Sequence, residues 1–108
     1  VKYGADKFSA REALKIATKG GAETLNRDDI GEISIGKAAD FAIYDLNQID
    51  MSGTFSDPIA GLIFCGPIKT NFTICHGSII AENGHMKNFD LNTSLENHKM
   101  ASKRLLNI

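Results

Sequence analysis

Apolar residues recur at helical spacing in the first quarter of the chain. Ser9 and Glu12 stand three residues apart, the arrangement of a capping box, so a helix is predicted to begin there. Gly20 and Gly21 predict the end of that helix, and "AETL" predicts a second short helical piece that ends near Asn26. This pattern indicates an αα unit that packs on another layer. Its predicted apolar face is formed by Ala10, Ala13, Leu14 and Ala17.

The segment 28–46 follows a strand-like pattern. Ile30 and Ile33 predict a first short strand, and Gly36 suits a turn because glycine readily adopts positive φ. The stretch 41–46 is nearly all apolar and predicts a second strand. Since a strand that is apolar on both faces is normally covered on both, we expect this one not to be an exposed edge.

Strong helix signals follow a polar connection. Asp57 is placed as an N-cap, Pro58 as the first helical residue and Gly66 as the terminator, with Pro67 beyond it. The apolar face of this helix is predicted from Ile59, Leu62 and Ile63.

The last third predicts a β-meander and then a helix. The pairs His76-Gly77 and Asn83-Gly84 fit two-residue turns of type I′. Thr93 and Glu96 match a second capping box, which predicts a helix that runs toward Leu106 with a weak apolar face. The order ααββαβββα lacks βαβ alternation, so the predicted fold class is α+β.

Composition excludes several classes of partner. The formal net charge is −1 and the Lys and Arg residues are scattered, so the chain has no electrostatic footprint for nucleic acid. The sequence has no apolar run of the roughly 20 residues that span a bilayer and no signal-peptide pattern, which predicts no membrane partner and a cytoplasmic location. The chain begins with Val1, which fits either processing or the tail of a longer protein.

Cysteine and histidine are the first candidates for chemistry. His76, His85 and Cys75 lie close in sequence, but the two histidines are predicted at opposite ends of a strand, about 17 Å apart by strand rise. Because a metal site needs three or four converging ligands, the pattern favours structural roles for them. Cys65 and Cys75 lack CxxC spacing and are predicted to be buried, small apolar side chains.

Carboxylates crowd the segment 28–46, which raises the alternatives of a cation site or an acid/base pair. Asp28 and Asp29 come at a helix-to-strand junction, where such side chains commonly bind backbone N–H groups. Asp40 is expected to bond local backbone, with Lys37 as a charge partner. A turn-forming role is therefore predicted for the set Asp28, Asp29, Glu32, Asp40 and Asp45.

Possible nucleophiles are equally isolated. Ser9, Ser56 and Cys65 have no histidine nearby in sequence and no nucleophile-elbow glycine pattern. Lys37 lacks the glycine spacing of a phosphate-binding loop. The residues thus predict no catalytic, cofactor-binding or metal-ligating position in this chain.

Three stretches together resemble the C-terminal end of amidohydrolase-superfamily enzymes: "FSAREALKIATKGGAETLNRDDIGEISIGKAADFAIYDL", "SDPIAGLIFCGP" and "ICHGSIIAENGHM". More narrowly, they resemble the ATZ/TRZ branch, which includes 8-oxoguanine deaminases and hydroxydechloroatrazine ethylaminohydrolases. "LIFCGP" is similar to members of the 8-oxoguanine deaminase type. The resemblance covers nearly the whole chain.

The resemblance implies a fragment of a split architecture. Residues 1–28 would be the last helices of a (β/α)8 metal-dependent hydrolase barrel. Residues 29–90 would be the C-terminal half of a composite β-sandwich, with a short helix inserted near 57–65, and residues 91–108 a C-terminal helix. The metal and catalytic residues of the family lie upstream of the matching segments. The resemblance therefore implies no site residue here, and Asp57 in "SDP" is not the metal aspartate.

The implied function is structural. The chain is expected to be the inert C-terminal portion of an enzyme that deaminates an aminopurine or similar N-heterocycle with zinc or iron. Its expected partner is the missing N-terminal and barrel portion of the same enzyme, and a homo-oligomer is a further option. One alternative is the tail of a cyclic-amide hydrolase of the hydantoinase or imidazolonepropionase type. Another is an independent small binding or assembly module.

Overall fold

A computed structural model describes residues 7–108, so the first six residues of the predicted barrel segment 1–28 lie outside it. The chain forms short helices, a four-stranded sheet and one long terminal helix, an α+β arrangement. The helices are α1 Ala10–Lys15, α2 Gly21–Thr24, α3 Pro58–Phe64 and α4 Leu91–Leu106, with a π-helical turn at Ile16–Gly20 and a 3₁₀ turn at Ile49–Met51. The strands are β1 Phe41–Ile43, β2 Phe72–Cys75, β3 Ser78–Glu82 and β4 His85–Met86.

The first helix begins at the predicted capping box and ends later than predicted. Ser9 and Glu12 each bond the backbone N–H of the other, as a capping box requires. The prediction that Gly20 and Gly21 end the helix is wrong: both adopt right-handed helical angles, and α1 continues through the π-helical turn into α2. Glycine permits other conformations but does not impose them. Ala17, predicted on the apolar face, lies in the π-helical turn and is exposed.

Segment 28–40 forms a loop, so the strand predicted around Ile30 and Ile33 is wrong. The backbone N–H of Ala38 donates to the Asp29 carbonyl at 2.7 Å, which closes the loop on itself. Within the described residues, segment 28–40 takes no part in the sheet, and Ile33 is 84% exposed.

The sheet is antiparallel in the order β1-β2-β3-β4. Its two tight turns have positive φ at both central residues, namely His76-Gly77 and Asn83-Gly84, as type I′ turns require. In the described part of the chain β1 lies at the edge and Ile43 is 44% exposed, which corrects the expectation of a covered inner strand. A strand that is apolar on both faces is expected to be covered by another layer, but that layer need not belong to these 108 residues.

Helix α3 packs between α1 and the 3₁₀ turn. Asp57 Oδ1 accepts the Ala60 N–H at 3.1 Å and Pro58 occupies the first turn, as predicted. Gly61 is buried where a Cβ would lie 2.7 Å from the Thr54 side chain, so glycine permits this close approach. Met51 beneath it is 1% exposed.

Helix α4 has a different cap from the one predicted. Asp90 is the N-cap, and its Oδ1 accepts the Thr93 N–H at 3.0 Å. The predicted Thr93–Glu96 box does not form, because Glu96 binds Lys99 at 2.7 Å while the Thr93 hydroxyl donates to Asp90. Every residue of α4 except Ser94 is exposed.

The core of the described residues is small. Only Ala10, Ala22 and Met51 are buried apolar residues within 7–108. The radius of gyration is 17.6 Å, against about 13 Å for a compact domain of this length. The described helices include none that is long and apolar enough to cross a membrane.

Candidate functional site

The two histidines of the sheet lie in or directly after its two tight turns. The His76 N–H, in the β2–β3 turn, donates to Asp40 Oδ1 at 2.7 Å. His85 opens β4, and its Nδ1 lies 3.0 Å from the Asn83 carbonyl oxygen. Within residues 7–108, no group of three or more His, Cys, Asp or Glu side chains is placed to hold a metal ion.

Both cysteines are exposed, which makes the prediction of buried thiols wrong. Cys65 is the C-cap residue of α3, and Cys75 is the last residue of β2 before the turn. A side chain at the end of a helix or strand is buried only if another element packs over it. No described element packs over these two cysteines.

The best-defined charged group joins the first helix to the loop that follows. Glu32 forms ion pairs with Lys19, in the π-helical turn, and with Lys37, whose Nζ lies 3.4 Å from Glu32 Oε1. The hydrogen bond from Lys19, with that from Lys37, lowers the pKa of Glu32, and the same contact raises the pKa of Lys19. We define these three residues as the Glu32 cluster.

Two further interactions, beside those within the Glu32 cluster, stabilise the same loop. Arg27 donates to Asp29 through Nε at 2.8 Å and Nη2 at 2.5 Å, which lowers the pKa of that carboxyl. Lys37 Nζ also donates to the Asp28 carbonyl oxygen. The prediction that these two side chains bind backbone N–H groups is corrected at this junction: Asp28 accepts through its backbone carbonyl, and the Asp29 carboxylate is bound mainly by Arg27.

Asp40 and Asp45 also bind backbone, at different ranges. The Asp45 carboxylate accepts the Asn47 N–H at 2.8 Å in a local turn. Asp40 instead reaches His76, far along the chain, and Lys37 pairs with Glu32 rather than with Asp40. The expectation of a local Asp40 contact is therefore corrected, because folding brings the β2–β3 turn beside the end of the loop.

The remaining polar candidates serve helix ends. Ser9 Oγ donates to Glu12 at 2.8 Å. Asp57 caps α3 and accepts from Arg11 Nη1 on α1 at 3.3 Å. The Ala60 N–H, with the Arg11 guanidinium adding to it, lowers the pKa of Asp57.

Sequence reasoning missed Asn71, which connects the end of β1 and the residues after it with the β3–β4 turn. Its Oδ1 accepts the Asp45 N–H at 2.6 Å, and its Nδ2 donates to Asn83 Oδ1 at 3.3 Å. Its own N–H donates to the Ile43 carbonyl at 2.8 Å. These partners are distant along the chain, so no local pattern signals this role.

The lowered pKa values of three carboxyl groups favour binding and positioning roles over proton transfer. A general acid or base works best with a pKa near the working pH, whereas the carboxyls of Asp29, Glu32 and Asp57 have lowered pKa values and stay ionised at neutral pH. The described charges therefore connect the first helix with its loop and with α3.

Residues 1–88 match the sequence pattern of the amidohydrolase family. The chain belongs to this family. Among its relatives, 8-oxoguanine deaminase of Pseudomonas aeruginosa is 32% identical over 106 residues, which cover 98% of this chain and 23% of that protein. Hydroxydechloroatrazine ethylaminohydrolase of Pseudomonas sp. strain ADP is 40% identical over 80 residues, 71% of this chain and 16% of that protein.

Solved amidohydrolase structures share the fold. The atrazine chlorohydrolase TrzN from Arthrobacter aurescens TC1, crystallised with zinc, matches with a TM-score of 0.78 at 36% identity. The match covers 86% of this amidohydrolase chain and 20% of TrzN. The chain thus spans less than a quarter of the length of each of these relatives.

Proposed function

We propose that this chain is the C-terminal structural portion of a metal-dependent amidohydrolase that deaminates an aminopurine or a similar N-heterocycle, and that the chain alone is inert. Support comes from the family match over residues 1–88 and from relatives that act on 8-oxoguanine and on hydroxydechloroatrazine. A cytoplasmic location is part of the same proposal.

The exposure of apolar side chains carries the structural half of this proposal. Twenty large apolar side chains are exposed in residues 7–108, against three buried apolar residues. At about 25 cal/mol per Å² of apolar surface, leaving so much of it in water is costly. A covering partner is therefore needed, and the missing barrel with the N-terminal half of the sandwich is the partner that we propose.

The proposed division of labour follows the observed elements. The continuous helix from Ala10 to Thr24 would close the barrel, and β1–β4 with α3 would form the C-terminal half of the composite sandwich. The Glu32 cluster and the Arg11–Asp57 pair lie between these parts. They would fix the orientation of the sandwich relative to the barrel.

Zinc or iron is the metal we propose for the whole enzyme, since TrzN was crystallised with zinc. The described residues do not fit a metal site, because within 7–108 no three His, Cys, Asp or Glu side chains converge, and His85 Nδ1 lies 3.0 Å from the Asn83 carbonyl oxygen. When bound elsewhere in the enzyme, the metal would supply an activated water. We propose that the described residues take no part in that chemistry.

The test compares two proteins: the product of the complete reading frame that contains this chain, and the 108-residue chain. Bound zinc and iron are measured by mass spectrometry, and ammonia release is measured with 8-oxoguanine, guanine and hydroxytriazines. We expect metal and turnover only in the longer protein. Stoichiometric metal with turnover in the 108-residue chain would refute inertness, and a longer protein without deaminase activity would refute the proposed reaction.

A further inference from the structure

The β3–β4 turn presents an asparagine followed by a glycine to solvent. Asn83 and Gly84 are its two central residues, and both are exposed. Asn83 is the only asparagine in the sequence that precedes a glycine. Because glycine has no side chain of its own, the Gly84 nitrogen is the least hindered main-chain nucleophile that an asparagine side chain can have beside it.

The Gly84 nitrogen is also available for attack. Within residues 7–108 its N–H donates no hydrogen bond, whereas the Asn83 N–H donates to the Asn71 carbonyl and the Lys87 N–H to the Ile80 carbonyl, both at 2.8 Å. Attack of this nitrogen on Asn83 Cγ would close a succinimide ring.

The side-chain carbonyl of Asn83 is polarised by Asn71. Asn71 Oδ1 accepts the Asp45 N–H at 2.6 Å, so its Nδ2 is the atom that faces Asn83, at 3.3 Å. An amide nitrogen only donates, which makes the facing atom of Asn83 its carbonyl oxygen Oδ1. This donor is placed to stabilise the negative charge that develops on Oδ1 when Cγ is attacked.

His85 binds the main-chain carbonyl of the same asparagine. Its Nδ1 lies 3.0 Å from that oxygen, and since a carbonyl oxygen only accepts, Nδ1 carries the proton and donates. The carbonyl belongs to the peptide group whose nitrogen is that of Gly84. When this nitrogen loses its proton, resonance places the negative charge partly on the carbonyl oxygen, where the His85 N–H stabilises it.

The end of the hairpin is short enough to open for ring closure. The ring requires the Asn83 main chain to rotate out of the turn geometry. Strand β4 has only two residues, His85 and Met86, both exposed and paired only with β3 among the described strands. Short, exposed pairings open at a low free energy, so the turn can reach the reacting geometry without unfolding the sheet.

We propose that Asn83 is a site of spontaneous deamidation through a succinimide, and that the His85 Nδ1–H promotes it. In the first step the bond from Gly84 N to Asn83 Cγ forms and the Cγ–Nδ2 bond breaks, and the Gly84 proton leaves with the amino group as ammonia. In the second step water opens the ring at either carbonyl, which gives aspartate or isoaspartate.

The isoaspartate product would disrupt the turn. It carries the former side-chain methylene group in the main chain, which a type I′ turn of two normal residues does not accommodate. The two hydrogen bonds between Asn83 and Asn71 would be lost with it. This inference does not depend on the reaction proposed for the whole enzyme.

The test incubates the product of the complete reading frame at neutral pH in water enriched in heavy oxygen and maps its peptides by mass spectrometry. We expect labelled aspartate and isoaspartate at position 83. Asn88 is the matched control, because it is also exposed and has a φ of 56° but is followed by Phe89. It should remain unlabelled when half of Asn83 is labelled.

Two variants of nearly equal shape test the role of His85. His85→Leu removes the donor and should slow deamidation of Asn83 about tenfold, as expected for the loss of one hydrogen bond. His85→Asn keeps an N–H at the position of Nδ1 and should retain most of the wild-type rate. In urea the contact is absent, so the three rates should converge.

An unlabelled Asn83, or equal labelling of Asn83 and Asn88, would overturn the site. Equal rates in folded wild type and His85→Leu would overturn the role of His85. A difference between these two proteins that persists in urea would also overturn it, because the cause would then lie in the sequence and not in the folded turn.

Discussion

Gly31 lies against the first helix more closely than a side chain would permit. Its φ is +88°, and a Cβ there would lie 2.9 Å from Ala22 Cβ and 3.0 Å from the Thr18 carbonyl oxygen. Two of these three residues are in helical segments, so the loop is set directly on the helix backbone. Only glycine combines this φ with this contact at low cost.

Replacing Gly31 by alanine should therefore destabilise the protein through contact as well as through φ. Gly36 is a matched control, since its φ is +85° but nothing lies within 4 Å of a Cβ there. We expect Gly31→Ala to lower the free energy of unfolding by about 1–3 kcal/mol more than Gly36→Ala does, from overpacking against Ala22. Chemical denaturation of the product of the complete reading frame measures both, and equal losses would show that φ alone matters.

At the scale of elements, two hydrogen bonds join the loop end to the β2–β3 turn. Asp40 accepts the His76 N–H at 2.7 Å, and the adjacent Gly77 N–H donates to the Ala39 carbonyl at 2.9 Å. The two bonds align β1 with the end of β2. The turn is thereby tied to the loop that precedes β1.

Removing the Asp40 carboxylate should loosen the turn while leaving the rest of the sheet paired. We expect Asp40→Ala to speed amide hydrogen exchange at His76 about tenfold, because a bond to a charged acceptor is lost. Asp45→Ala, which removes a carboxylate bonded only to the nearby Asn47 N–H, should leave exchange at His76 unchanged. Unaltered exchange at His76 in Asp40→Ala would mean that the Gly77 bond suffices.

Local signals in the sequence predict the local features well. The capping box at Ser9, the cap at Asp57 and both I′ turns need only neighbouring residues, and all three are observed. Two local signals failed, the helix end at Gly20 and the Thr93–Glu96 box. Three other failures share a cause. The partner of Asp40, the role of Asn71 and the edge position of β1 depend on contacts between distant segments, which periodicity and caps do not encode.

At the scale of the molecule, the main feature is the number of apolar side chains exposed to solvent. A soluble monomer rarely exposes large contiguous apolar areas, and here β1, the loop at Ile33 and α4 all present apolar side chains to solvent. The ion pairs that connect the parts are themselves exposed, and exposed pairs contribute little to stability. The 108 residues therefore lack the buried area of an ordinary domain of this length.

The isolated chain should accordingly behave as an incomplete fold. We expect it to bind a hydrophobic dye such as ANS and to unfold without a sharp calorimetric transition. The product of the complete reading frame should not bind the dye and should unfold in a sharp transition. Calorimetry and dye fluorescence at matched concentration make the comparison. A compact, cooperative monomer of 108 residues would favour an independent module instead.

The π-helical turn allows the first helix to gain or lose one residue without turning its buried face. Ala10 and Ala22 are both buried although they stand twelve positions apart, which in an uninterrupted α-helix would put them about 120° apart around the axis. The π-helical turn takes up one extra residue, which brings them to within about 20° of one another. A version that lacks one residue between Ile16 and Gly20 should therefore keep the same rotational phase with regular α-helical hydrogen bonds throughout, which its crystal structure would reveal. Insertion or deletion of that residue changes the length of the helix and leaves the direction of its packed side unchanged.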